Sequence, residues 1–106
     1  MQKHTKVYMN FFNYAEGDTI LCEMECGSVA VDIHHLERRT RNKVTNAFIE
    51  NLVGMCRSCH IKAESDRCFN MYARIKHLEQ VCVQIHSLIE LNKRLKKYAN
   101  KKSGNK

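Results

Sequence analysis

Two pairs of closely spaced cysteines, Cys22-x3-Cys26 and Cys56-x2-Cys59, constrain this chain more than any other feature of it. Both spacings fall within the two to four residues that separate structural zinc ligands, and each pair sets two thiolates on one tight turn. Some thirty residues lie between the pairs, enough for a hairpin that returns the second to the first. A chain of 106 residues makes a single domain with a small core, of the size at which a metal or disulfide staple is common. No apolar signal segment follows the first residues, so a disulfide framework is disfavoured and metal binding favoured. The expectation is one structural zinc held by Cys22, Cys26, Cys56 and Cys59, closed to water; the competing reading is four reduced, buried thiols. Cys68 and Cys82 stand alone in a helical region and read as small buried apolar side chains.

The chain divides into three parts without an internal repeat. The aromatic run at residues 7–14 is a strand or a short helix, since short apolar runs do not distinguish the two. Glu16, Gly17 and Asp18 read as a turn. Residues 28–36, rich in β-branched side chains, predict a strand, residues 38–46 a basic loop, and residues 49–55 a second strand with Gly54 as a bulge. Residues 57–100 predict helix, broken near 66–70, and residues 101–106 a basic end that frays. The domain boundaries expected are therefore 1–66, a 67–100 helical extension and a 101–106 tail. The absence of proline and the presence of only four glycines agree with a helix-rich chain.

Within the long helix Met71, Leu78, Val81, Ile85, Leu88 and Leu95 fall at heptad a and d positions, with Asn92 at an a position. An a-position Asn fixes register and partner number in coiled coils. Two arrangements stay open: a homodimer through this helix, or a monomer whose helix folds back on the aromatic segment. The shortness of the pattern favours the second.

The net charge of +7 is uneven. Seven basic residues and no acidic one lie in residues 93–106, and the remaining basic and acidic residues cancel. Such a tail binds nucleic acid through phosphates or serves only solubility. No apolar run approaches the ~18 residues of a membrane span, which points to a cytoplasmic protein.

A second set of residues interleaves with the cysteines. Asp32-Ile33-His34-His35-Leu36 follows the first pair, and Asn51-Leu52-Val53 precedes the second, which runs directly into His60. The order His35, Asn51, His60, framed by two cysteine pairs, resembles the HNH endonuclease family, and in particular its zinc-bearing, four-cysteine branch common in bacteriophages. The resemblance covers roughly residues 20–64. It implies an α+β protein: a small ββα-metal, treble-clef-like core with a structural zinc, here followed by a long C-terminal helix. It implies a metal-dependent DNA endonuclease, acting in the host cytoplasm if the protein is phage-encoded.

The resemblance also distributes roles. His35 is the general base, and a neutral imidazole suits that work near neutral pH. His34 stands where many members carry a metal-binding Asp, and His60 is a further ligand of the catalytic divalent cation (Mg2+, Mn2+, Ni2+ or Zn2+). Asn51 orients His35 or holds the active-site loop. Helix geometry adds Glu64, four residues after His60 and on the same helix face, as a third ligand. Arg38, Arg39, Arg41, Lys43, Arg57 and Lys62 surround the motif and read as contacts to DNA phosphates, or as solvated surface charges. His4, His77 and His86 lie away from the motif and read as surface or packing residues. Two departures stand out. The wider first cysteine pair predicts a looser knuckle with fewer N–H bonds to sulfur, and residues 38–46 lack the glycines and proline often found there. The alternative to a nuclease is a non-catalytic treble-clef zinc module that binds nucleic acid or protein, including an accessory protein of a phage; it has no need of His34, His35, Asn51 and His60.

Overall fold

The structure, a computed structural model, describes residues 2–38 and 48–104. The aromatic run forms helix α1, Lys3–Phe11. The choice of helix over strand is made at its end. Asn13 takes a left-handed conformation (φ 61°), and its N–H bonds the Asn10 carbonyl while that of Tyr14 bonds the Met9 carbonyl. Those two bonds make a Schellman stop with Asn in the position usually given to glycine. The turn expected at 16–18 is present, with Gly17 at φ 89° and the Asp18 carboxylate accepting from the Ala15 N–H.

Strands β1 (Asp32–His35) and β2 (Leu52–Met55) pair antiparallel, with His34 opposite Val53 and His35 opposite Leu52. Both are shorter than the sequence suggests. Val29 joins only a single bridge to Leu21, and Ile49–Asn51 is a 3-10 turn. Helix α2 (Arg57–Ser65) follows β2 directly, so the hairpin and α2 form a ββα unit. Asp66 breaks the helical run. Its backbone is extended, and its Oδ1 accepts from the N–H groups of Cys68 and Phe69 at 2.9 and 3.1 Å, capping helix α3, Arg67–Gly104. The helix continues beyond residue 100, where the sequence places the start of a fraying end.

The core is small and sulfur-rich: Cys22, Met24, Leu36, Val53, Met55, Cys56, Ala63 and Ala73. Helix α3 contributes Ala73 to it and buries His77 and Val81 farther along, a four-residue repeat rather than the heptad seam; of the seam residues only Val81 is buried. The helix also meets α1, where Gln84 donates to the Phe11 carbonyl. The fold-back onto the aromatic segment thus reaches Gln84, and from residue 85 to residue 99 every side chain is exposed. Among the described residues no helix is long and apolar enough to cross a membrane.

Two features were not read from the sequence. Glu23 and His77 form a buried pair (Oε1–Nδ1 2.7 Å), with Tyr8 Oη and the Gly54 N–H donating to the second Glu23 oxygen. Burial, then the neighbouring Glu23, hold the Tyr8 hydroxyl far above its ordinary pKa. Gly54 is not a bulge. It sits in regular register, and it is glycine because a Cβ there would stand 2.7 Å from Tyr8 Oη and 3.0 Å from Cζ. Gly54→Ala therefore displaces α1 and should destabilise the zinc-loaded protein by about 1–3 kcal/mol, the usual range for overpacking; urea unfolding measures it, and an unchanged midpoint would refute the packing argument.

Candidate metal centres

The two cysteine pairs meet. The Sγ atoms of Cys22, Cys26, Cys56 and Cys59 all lie within 4.8 Å of one another, with Cys26 and Cys56 at 3.6 Å. Zinc–sulfur bonds of about 2.3 Å in a tetrahedron space the sulfurs by about 3.8 Å, so the cluster is consistent with a structural zinc. Glu25 and Gly27 take up the extra residue of the first knuckle with positive φ, and the Cys22 N–H closes it on the Ser28 carbonyl. In the first knuckle the Ser28 backbone donates to Cys26, and in the second pair the Cys59 N–H donates to Cys56 at 3.4 Å. Cys56 is also the N-cap of α2.

The thiols differ in their charge preference. The Ser28 backbone bond, with help from Cys22 and Cys56, pulls Cys26 down to about 6. Burial pushes Cys22 and Cys59 up. Four sulfurs this close cannot all be thiolates unless a cation sits among them, and sulfur donors suit soft metal ions, zinc among them.

The second centre is built by the hairpin and α2. His34 of β1, with His60 and Glu64 of α2, brings two ring nitrogens and a carboxylate oxygen within 4.8 Å of one another. The hydrogen bonds behind them fix which atoms face inward. Asn70 gives its Nδ2 to the Leu36 carbonyl, so its Oδ1 accepts from His34 Nε2 at 2.6 Å, leaving Nδ1 of His34 as the free donor atom. Burial depresses the His34 pKa and keeps the ring neutral, as a ligand must be. His60 Nδ1 lies 3.0 Å from Asp32 Oδ2. Burial pushes the Asp32 carboxyl up, but the hydrogen bonds from His60 and Arg57 outweigh it, so the group stays below its ordinary value and ionised. His60 Nδ1 therefore carries the proton, and Nε2 points at Glu64 Oε1, 3.0 Å away. A divalent cation between those two atoms would satisfy both. The arrangement has the form of metal-binding imidazoles held by carboxylate and amide partners, and the mixed nitrogen and oxygen donors accept several divalent ions.

His34, His35, Asp32, His60, Glu64 and Asn70 line one cleft of about 880 Å³. His35 follows His34 in β1 and meets the ring of His4 edge to face, with centroids 4.9 Å apart. Asn51 contacts the turn after β1: its Oδ1 accepts from the Glu37 N–H at 2.7 Å and its Nδ2 donates to the Glu37 carbonyl at 3.2 Å. Arg38 is exposed and lines the cleft. Arg57 grips both oxygens of Asp32, and Lys62 lies over the Phe69 ring. Arg39, Arg41 and Lys43, with the rest of the expected 38–46 loop beyond Arg38, lie outside the described residues.

Sequence reasoning missed Asp32 and Asn70. Asp32 was within reach, because it shares a strand face with His34 two residues on. Asn70 gave no local signal, since its contacts depend on how α3 returns across the hairpin. Comparison with protein-family models, curated proteins and solved structures gives no match, so the functional reading rests on the geometry of these two centres.

Proposed function

We propose that the chain is a metal-dependent DNA endonuclease of the HNH type that hydrolyses phosphodiester bonds in the cleft beside β1. One observation carries the reading: the His34, His60 and Glu64 group stands in an open cleft next to His35, in a chain whose cysteines already provide a closed structural site. A zinc module that only binds has no use for the second group.

A divalent cation held by His34, His60 and Glu64 would supply positive charge for the scissile phosphate and the departing oxygen. The remaining work belongs to side chains. His35 takes a proton from the attacking water, a task suited to neutral imidazole. Asn70 and Asp32 hold the two ligand imidazoles in the required tautomers. Asn51 fixes the turn that follows His35 and so acts on position rather than on the reacting atoms. Arg38, at the cleft, and the exposed Lys93, Arg94, Lys96 and Lys97 on α3 meet DNA phosphates; Arg39, Arg41 and Lys43 join them by their place in the sequence. One such centre breaks one strand, so the expected product is a nick.

Supercoiled plasmid tests the reading. Protein that retains its zinc should relax the plasmid only when a divalent cation is supplied. His60→Ala should need at least about a hundredfold more cation for the same rate, since even outer partners of metal ligands contribute about 10–100-fold to affinity. Plasmid bound but left intact with every cation tried would favour the non-catalytic module, and an unchanged cation requirement in His60→Ala would remove that ligand.

A further inference from the structure

We infer that Arg67 and Arg74 of α3 line a phosphate track that carries the DNA strand away from the metal centre. The inference rests on the nuclease reading for the point at which the strand starts. A second groove, of about 520 Å³, shares Arg38, Glu64 and Asn70 with the cleft of the metal centre. The two form one continuous depression, and the wall that the second groove adds comes from α3, with Arg67 and Arg74.

Helix geometry explains why these residues meet there. Arg67, Asn70 and Arg74 stand at i, i+3 and i+7, so they share one face of α3 over two turns, about 10 Å. Asn70 sets the direction of that face. Its Oδ1 lies 2.6 Å from His34 Nε2, and its Nδ2 donates to the Leu36 carbonyl. One arginine thus stands a turn before the residue that anchors a metal ligand, and the other a turn after it.

The fold gives little reason for either charge. Arg67 is exposed in the first turn of α3, where the helix dipole disfavours a cation. Arg74 gives Nη2 to the Glu37 carboxylate, while its Nε is buried without an acceptor. A phosphate in place of Glu37 would take both donors, in the two-pronged geometry that a guanidinium favours. Glu37 marks where that anion sits, and its side chain, 70% exposed, can turn to water when the strand arrives. The groove's other carboxylate, Glu64, belongs to the metal-binding group. With a cation on Glu64 and Arg38 at the junction of cleft and groove, the path beside α3 is positive along its length.

The test uses full-length, zinc-loaded protein. Fluorescence anisotropy follows its binding to a labelled duplex DNA over a range of salt, without added divalent cation, and plasmid nicking follows at saturating cation. Arg67→Ala should bind about eightfold more weakly at about 0.1 M salt, and its slope of log affinity against log salt should fall by about 0.9, the share of one phosphate contact. Its KM in nicking should rise by the same factor, with zinc content unchanged. Arg67→Lys keeps the charge and should keep the slope. Arg74→Ala should show a loss like that of Arg67→Ala. Lys76→Ala, on the same helix but paired with Glu25 outside the groove, should keep the wild-type slope. Wild-type affinity and slope in Arg67→Ala, or an equal loss in Lys76→Ala, overturns the inference while leaving the nuclease reading in place. Binding that depends on Arg67 in a protein that nicks with no cation supports the track and overturns the nuclease reading.

Discussion

Replacing Cys56 with serine should release the zinc and unfold the chain. Cys56 contributes at three levels. It is one of four sulfurs gathered within 4.8 Å, it caps α2 by accepting from the Cys59 N–H, and it lies within the small core beside Cys22, Met55 and Ala63. Serine keeps a weak cap but loses the soft ligand. Structural zinc contributes about 10–16 kcal/mol in small metal-folded domains, whereas a domain of ordinary size has a net stability of only about 5–15 kcal/mol. Loss of the metal is therefore enough to remove the fold. A strong chelator should do the same to the wild type. Cys68 and Cys82 are exposed on α3 rather than buried as the sequence suggests, so Cys82→Ser, away from the cluster, should leave zinc content and the melting transition unchanged. Elemental analysis with thermal circular dichroism checks both variants, and a Cys56→Ser protein that keeps one zinc per chain and a cooperative transition would contradict the account.

What the sequence disclosed about this fold depended on range. The cysteine pairs and the His60–Glu64 pair are local patterns, set by turn and helix geometry, and the structure brings each set together. The break near residues 66–70 is likewise local, because a capping Asp needs only its own next two or three residues. The long-range partners were not visible. Asn70 reaches His34 and Leu36 across more than thirty residues, and Glu23 collects Tyr8, Gly54 and His77 from three separate elements. The heptad in α3 does not face this chain's own core. The core takes the face carrying Ala73, His77 and Val81, a choice set by contacts with distant elements such as Glu23. Gly54 shows the same limit: its role is a close approach by Tyr8, forty-six residues earlier in the chain.

His35→Ala should slow strand breakage by about a hundredfold to ten-thousandfold, the usual contribution of a general base. His34, not His35, belongs to the group with His60 and Glu64 that could hold a metal ion. Removal of His35 should therefore leave zinc content, fold and the concentration of divalent cation needed for half-maximal rate as they are. This separates it from His60→Ala, whose loss is repaired by more cation. Alanine also leaves the β1–β2 pairing in place, since the backbone opposite Leu52 is unchanged. The most direct measurement is the rate at which supercoiled plasmid becomes open circles with wild-type and His35→Ala protein, both zinc-loaded and at saturating cation. The account predicts a wild type at least about a hundredfold faster; equal rates, or a wild type that leaves the plasmid supercoiled, would contradict it.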